Sequence, residues 1–208
     1  MTSGTHIRPW RRELASGHRP VQEKWVELVA AARTIHTWES GLISGMLQTP
    51  DYARHVFMHL AELQNSPKDT GDAVRARMRR QEWLDQPGNT LHLLMWEGAL
   101  RARICPPAIM AAQLDHLAEA VDTESVRLGI VPFDAALKVP PGDGFWIFDD
   151  DRLVITEDWH AELWLDDADT IATYRRVWQT LYEAAVFGAD ARQVIQSARG
   201  SLGTRDRH

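Results

Sequence analysis

"TLHLLMW", residues 90–96, is the stretch that decides the fold class. Before it, apolar residues recur at helical spacing, as at Tyr52, Val56 and Leu60, but here they form a short and nearly continuous apolar run. A run of this length that follows the turn signal at 87–89 is typical of a buried β-strand. The chain therefore contains a sheet in addition to its helices.

Further strands are predicted after this run, and helices on both sides of it. The strand candidates are 125–133, the pair of strands around an Asp-rich turn in 144–158, and 161–165. One helix is predicted over 21–39, where Trp25, Leu28, Ala32 and Ile35 keep helical spacing, and another begins at Thr49–Pro50. Because helices precede and follow the strands, we predict an α+β fold that is mainly helical with a small, largely antiparallel sheet.

The composition indicates one ordinary globular domain. Residues 1–20 are polar and contain four Arg, so we predict a flexible N-terminal arm there, a single domain over 21–200 and a disordered tail over 201–208. No apolar run reaches the roughly 18 residues of a membrane span, and the N-terminus lacks the apolar region of a secretory signal. With the single Cys105, these features predict a cytoplasmic protein without a membrane partner.

The net charge of −6 argues against direct contact with nucleic acid, because nucleic-acid-binding domains usually show a basic footprint. The densest basic run, residues 75–80, lies in a helical pattern and is interpreted as a solvated helix face rather than a phosphate-binding patch. The nine Trp are unusually many for this length. They either fill the core or line a pocket for an apolar or planar ligand.

Motifs of the common enzyme and metal-site classes are absent from the sequence. It contains no glycine-rich phosphate loop, no HExxH, no CxxC pair and no GxSxG. His55 and His59 share a helix face but have no evident third metal ligand, and the Asp triplet 149–151 is better explained by a hairpin turn than by a calcium loop. We therefore expect no metal and no cofactor.

Charged residues on apolar faces are the candidates for a functional site. Glu39 continues the apolar stripe of the helix predicted over 21–39, and strand alternation places Glu157 on the same face as Ile155. Inward carboxylates need partners, so we expect them to meet the arginines that lie on or beside apolar stripes. The catalytic candidates are Glu39, His92, Glu97 and Glu157, and the ligand-binding candidates are Trp38, Gln48, Tyr52, Arg54, Arg80, Trp96, Arg101 and Trp146.

Six segments, taken in order, carry a resemblance to a known family. They are AARTIHTWESGLISGMLQTPDYAR (31–54), RMRRQEWL (77–84), LLMWEGALRARI (93–104), MAAQLDHL (110–117), VRLGIVPF (126–133) and FWIFDDDRLVITED (145–158). Together they resemble the domain of unknown function that follows the helix-turn-helix in many actinobacterial XRE-family, antitoxin-like transcriptional regulators. The resemblance covers about residues 22–200.

What the resemblance implies is a regulatory domain that senses a ligand or a small partner protein. Family members usually carry a DNA-binding helix-turn-helix before this domain, whereas here only about 20 residues precede it, so that motif is not expected. Ser44 stands where relatives usually have proline, and Val29 where they often have glutamate. Both changes lie where they would reshape the corner near residues 44–54.

Two functions remain open from the sequence. The first is a stand-alone regulatory domain that binds an apolar or aromatic small molecule, a small partner protein or a paralogous regulator, or that forms a homodimer. The alternative is an enzyme of natural-product metabolism, a cofactor-independent cyclase or isomerase using acid–base groups in a tryptophan-rich pocket. A Trp-lined cavity with an inward carboxylate would favour a small molecule, and a flat apolar patch would favour a protein partner.

Overall fold

The computed structural model describes residues 4–203. Its strands are β1 (Thr5–Pro9), β2 (Thr34–Glu39), β3 (Thr90–Trp96), β4 (Val126–Val131), β5 (Phe145–Phe148), β6 (Leu153–Glu157), β7 (Ala161–Leu165) and β8 (Val186–Phe187). Its helices are α1 (Trp10–Glu13), α2 (Arg19–Ala30), α3 (Pro50–Leu63), α4 (Thr70–Gln81), α5 (Glu97–Arg101), α6 (Pro107–Ala120), α7 (Ala168–Ala184) and α8 (Gly188–Gly200). No helix within this part of the chain is long and apolar enough to cross a membrane.

All eight strands form one mixed sheet, in the order β1-β7-β6-β5-β2-β3-β4-β8. The central strands β2, β3 and β4 are parallel, and the remaining neighbours pair antiparallel. Parallel neighbours need long crossovers, and these are supplied by α3 and α4 between β2 and β3 and by α5 and α6 between β3 and β4.

The predicted fold class, with its small and largely antiparallel sheet, is therefore wrong. The helix predicted over 21–39 ends at Ala30, and 34–39 form the strand that joins the parallel and antiparallel parts of the sheet. Apolar spacing from Trp25 to Ile35 continues the helical period by coincidence across this break. The β-branched and aromatic residues of 34–39 favour a strand, and pairing with two neighbours fixes it.

Both faces of the central sheet are buried, which explains the continuous apolar run of β3. Leu91, Leu93 and Met95 point into the larger core, where they meet residues of α2, α6 and α8. Leu94 points to the opposite face and belongs to the core that α7 covers. Strands of parallel sheets that are covered on both sides read as apolar runs rather than as alternating patterns.

The segment predicted as an arm contributes to the sheet. Residues 5–9 pair with β7, and the Trp10 indole Nε1 donates to the Asp158 carbonyl at 2.7 Å. At the other terminus, 201–203 form one short 3₁₀ turn, and the rest of the predicted tail, 204–208, lies outside the described residues.

Helix α3 is capped by a neighbouring residue, whereas α2 is capped by a residue that is distant in sequence. The predicted start of a helix at Thr49–Pro50 is confirmed, because Thr49 caps α3 by accepting from the Tyr52 amide at 3.4 Å. Helix α2 is capped from outside its own sequence. The Asp69 carboxylate, before α4, accepts from the His18 and Arg19 amides at 2.9 and 2.7 Å. Asp69 thereby fixes α2 against α4.

We expect Asp69→Ala to lower the free energy of unfolding by about 1 kcal/mol, because it leaves two amides at the start of α2 without an acceptor. Urea denaturation would measure the change. Asp72→Ala is the matched control, since the Asp72 side chain pairs with the exposed Arg75 of its own helix and its loss should cost less than about 0.5 kcal/mol. Equal losses for the two variants would contradict the capping role.

Candidate functional site

Three glutamates lie at one edge of the sheet. Glu39 ends β2, Glu157 ends β6, and Glu97 directly follows β3. Strands β2 and β6 run in the same direction because each pairs antiparallel with β5, and β2 is parallel to β3. In open α/β sheets, ligands bind in the crevice outside the carboxyl ends of the strands. The topology thus places these carboxylates where a ligand site is expected.

A cavity of about 320 Å³ lies at this edge, and residues of α2, α3 and α4 form part of its wall. Glu39 and Glu157 line it, and its aromatic walls are Trp10, Phe57, Trp146 and Trp159. The Trp159 side chain is 79% exposed and borders the cavity from outside. The volume and the mixture of aromatic walls with a few polar groups are typical of small-molecule sites.

Both cavity carboxyl groups have pKa values raised well above the ordinary value for glutamate. Burial raises the pKa of Glu39 to about 7, against the opposing effects of Ser44, Trp146 and Arg80. Burial also raises the pKa of Glu157 to about 7, with further increases from the negative charges of Glu162 and Glu39. Glu157 has an exposed surface because it borders the cavity, yet the protein atoms around it still displace much of its hydration.

Arg80 is the buried cation next to these carboxylates. Its side chain is 4% exposed, and its guanidinium carbon lies 5.3 Å from the Trp25 ring and 5.5 Å from the Trp146 ring. Burial lowers the pKa of Arg80 to about 10, while Glu157 and Glu39 oppose that shift. Its Nε atom is buried without a hydrogen-bond partner in the described residues. A Cβ at Gly45 would collide with the guanidinium, so glycine allows Arg80 to approach the backbone there.

Arg77 lies one helical turn before Arg80 and is oriented by two glutamines. Its Nη1 donates to Gln48 Oε1 at 2.6 Å, and its Nε donates to Gln22 Oε1 at 3.1 Å. Its guanidinium lies over the Phe57 ring at 4.1 Å. Burial and the charge of Arg80 lower the pKa of Arg77 to about 9, so it too is a cation at neutral pH.

Glu162 supports the same cluster from β7. Its carboxylate accepts from the indole nitrogens of Trp25 at 2.8 Å and Trp164 at 2.6 Å. Arg8 lies over the Trp164 ring at 3.8 Å and supplies a nearby positive charge. This arrangement orients Trp25, which packs edge-on against Trp146 at 4.9 Å.

The structure brings six of the predicted site residues together. Glu39, Glu157 and Trp146 line the cavity, and Arg80 lies behind Trp146. Gln48 and Tyr52 stabilise the adjoining loop. The Gln48 amide donates to the Ile43 carbonyl at 2.7 Å, and the Tyr52 hydroxyl accepts from the Ile43 amide at 3.2 Å.

Glu97, Arg101 and Trp96 form a separate group beyond β3. Arg101 donates to Glu97 Oε1 from Nε at 2.8 Å and from Nη2 at 2.7 Å, and the Phe133 amide donates to Glu97 Oε2 at 3.0 Å. Trp96 packs against Phe133 at 5.4 Å. These contacts occupy both carboxylate oxygens, so the arrangement has a structural explanation.

The remaining predicted residues lie elsewhere. His92 stacks on His36 at 4.5 Å, beside Trp178 of α7, and burial lowers the pKa of both histidines. Trp38 is buried in the core that α7 covers. Arg54 is exposed on α3. The charged residues expected to form one internal network are thus divided between two clusters and the surface.

Sequence reasoning omitted four residues that complete the site: Trp10, Arg77, Trp159 and Glu162. Trp10 lay in the segment predicted as an arm, and Trp159 lay between two strands without a pattern of its own. The available signal was the spacing of Arg77 and Arg80, which puts both on one side of α4.

A second groove of about 530 Å³ adjoins Arg33, Arg79 and Asn89. Aromatic walls and carboxylates of raised pKa coincide at the smaller cavity and not at this groove.

Comparison with known proteins gives a family and a fold. The model of the domain of unknown function DUF5753 matches residues 22–197. The structure is similar to NucT from Helicobacter pylori, with a TM-score of 0.52 and 12% identity over 88% of this chain and 98% of that chain. A second similar structure is Nuc from Salmonella typhimurium, a phospholipase D family member, with a TM-score of 0.49 and 11% identity over 88% of this chain and 97% of that chain. A search of curated proteins gives no significant match.

The raised pKa of Glu157 should make the stability of the folded chain depend on pH. The ordinary pKa of a glutamate is 4.5, and that of Glu157 in the folded chain is about 7. Between these two pH values the folded chain binds a proton that the unfolded chain has lost. The stability that this group contributes is therefore fully present below pH 4.5 and is lost as the pH rises through 7. Glu157→Gln should raise Tm relative to the parent by at least about 2 °C more at pH 8 than at pH 5.

Scanning calorimetry at the two pH values would measure this difference. Glu119→Gln, on the exposed face of α6, is the matched control and should change Tm by the same small amount at both. If Glu157→Gln behaved like this control, the carboxyl would titrate normally and the desolvated character of the cavity would be refuted.

Proposed function

The chain belongs to the family of the domain of unknown function DUF5753, and we propose that it is a regulatory domain that binds a small molecule in the cavity at Glu39 and Glu157. The observation that carries this proposal is the coincidence of aromatic walls with two carboxylates of raised pKa in one cavity. A concave aromatic site favours a small molecule, whereas a protein partner is favoured by a flat exposed apolar patch.

A regulatory role is supported by the way the cavity is connected to its surroundings. Gln22 of α2, Arg77 of α4 and Gln48 of the loop before α3 are joined by hydrogen bonds at the cavity wall. A ligand that changes the charge of Glu39 or Glu157 alters the electrostatic environment of Arg77 and Arg80. A ligand shifts a conformational equilibrium only through such differential interactions.

An enzyme is the second candidate, and one observation favours it. Carboxyl groups with pKa values near 7 are suited to act as general acid and general base at neutral pH. Glu39 and Glu157 would then serve a cofactor-independent cyclase or isomerase on a substrate oriented by the tryptophans. The likeness to NucT lends no activity to this candidate, because at 12% identity it concerns the fold alone.

The test is to isolate the protein from its native cell without denaturant and to analyse it by native mass spectrometry. A bound compound that is recovered unchanged after incubation supports the regulatory domain. A compound that is converted by the parent protein and by Glu119→Gln, but not by Glu157→Gln, would establish the enzyme instead. A stoichiometric protein partner with an empty cavity would refute both.

Trp159→Ala should reduce the affinity for the co-purified compound about fivefold, because losing one aromatic contact costs about 1 kcal/mol. Its stability should hardly change, since the side chain is 79% exposed. Titration by isothermal calorimetry and a parallel measurement of Tm would separate the two effects.

Phe133→Ala removes another exposed aromatic side chain, 55% exposed and away from the cavity, and serves as the matched control. It should leave the affinity unchanged. A similar loss of affinity in both variants would mean that Trp159 makes no specific contact with the ligand.

A further inference from the structure

We propose that the ligand of this cavity is an organic cation, an amine whose apolar body packs between the tryptophans and whose ammonium group lies between Glu39 and Glu157. This inference rests on the proposed function and names the chemical class of its ligand. It follows from the charge balance of the cavity, from its aromatic walls and from two buried donors that favour an ionised Glu39.

The charge balance leaves an excess of carboxylates. Four of them line the cavity, namely Glu39, Glu157, Asp143 and Asp158. Two guanidinium groups oppose them, Arg77 at the wall and Arg80 behind it, so the fully ionised site has an excess of two negative charges. The fifth nearby carboxylate, Glu162, is engaged by two indoles and by the charge of Arg8. A single ammonium group reduces this excess, and an anionic ligand increases it.

The carboxylates of Glu39 and Glu157 differ from that of Asp158 in the donors around them. Asp158 accepts from the His160 and Ala161 amides at 2.7 and 2.8 Å, and these bonds hold its pKa below the ordinary value. Within residues 4–203 no backbone amide donates to the carboxylate of Glu39 or Glu157, and Glu39 accepts from the Thr37 hydroxyl at 3.4 Å. A cation bound between them would give each carboxylate a charged partner.

The aromatic walls suit a cation as well as an apolar group. Trp10, Trp146 and Trp159 border the same space as the two glutamates. Cations are attracted to the faces of aromatic rings, and tryptophan gives the strongest attraction. The protein already uses this contact three times nearby, with Arg80 against Trp25 and Trp146 and with Arg8 against Trp164.

Two buried donors are complementary to an ionised Glu39. The Ser44 hydroxyl is fully buried and close enough to Glu39 to lower the pKa of that carboxyl, but the geometry falls short of a hydrogen bond. Arg80 Nε is likewise buried without a partner in the described residues. Buried polar groups are normally satisfied, so such exceptions require an explanation. An ammonium group that holds Glu39 in its ionised form keeps the negative charge that interacts favourably with both Ser44 and Arg80.

The affinity for an amine should depend on pH because the two carboxyl groups must lose protons when the cation binds. Glu39 faces Thr37, Ser44, Trp146 and Arg80, and Glu157 faces Glu162, Glu39, Arg77 and Arg80. These surroundings place both pKa values at about 7. The affinity should therefore rise between pH 6 and pH 8, where a simple primary amine stays protonated.

Three probes that share a phenylethyl group separate charge from shape: 2-phenylethylamine, 2-phenylethanol and 3-phenylpropanoate. We expect isothermal calorimetry at pH 8 to show the amine binding at least tenfold more tightly than the alcohol, and the carboxylate binding most weakly. Between pH 6 and pH 8 the affinity for the amine should rise several-fold, with proton release, whereas the affinity for the alcohol should stay constant.

Variants of the cavity test the assigned contact. Glu157→Gln and Glu39→Gln should each reduce the amine affinity at least tenfold and leave the alcohol affinity within twofold. Glu119→Gln, the exposed control, should change neither. Thermal unfolding of each variant would confirm that it is folded.

The outcomes distinguish this inference from the proposed function. Equal or tighter binding of the alcohol or the carboxylate would overturn the cation assignment while leaving a small-molecule site in place. Binding of none of the three would overturn the assignment as well. The compound that co-purifies from the native cell then decides the proposed function separately, because an uncharged compound in the cavity would uphold that function without the amine.

Discussion

Burial of the Arg80 guanidinium between two tryptophans is the constraint on which this site depends. A cation with 4% exposure needs negative charge close by, and Glu39 and Glu157 provide it from the ends of two strands. No direct ion pair joins Arg80 to either carboxylate among the residues that the structure describes. A direct pair would have held the carboxylates ionised, whereas this separation leaves both near pKa 7 and able to respond to a ligand.

The scaffold positions these groups through long-range pairing. Strand β5 sets β2 and β6 in the same direction, so their final glutamates meet at one edge. Helix α4 packs against α2 and presents Arg77 and Arg80 on one side. Gly45 admits the guanidinium, and the Ser44 hydroxyl stands beside Glu39.

Part of this site can be read from local patterns. Alternation along β6 marked Glu157 as an inward carboxylate, and Glu39 was singled out for lying on an apolar stripe, although on a strand and not on a helix. The capping chemistry of Thr49 and Pro50 located the start of α3. By contrast, Glu97 and Arg101 looked equally suitable in sequence but form a closed pair beyond β3. Apolar spacing alone does not distinguish a carboxylate that borders a cavity from one whose oxygens are already bonded.

The amino-acid pattern alone was sufficient to predict most helices and strands, the helix start at Thr49, the resemblance to a domain of unknown function and the set of charged residues on apolar faces. These depend on neighbours within a few positions along the chain. The order of the eight strands, the parallel pairing of β2 with β3, and the meeting of Trp10, Glu39, Arg77 and Glu157 were settled only by the folded molecule. Such pairings depend on how both faces of the sheet are covered and on which distant side chains enclose the same space, and a sequence period carries no information about either.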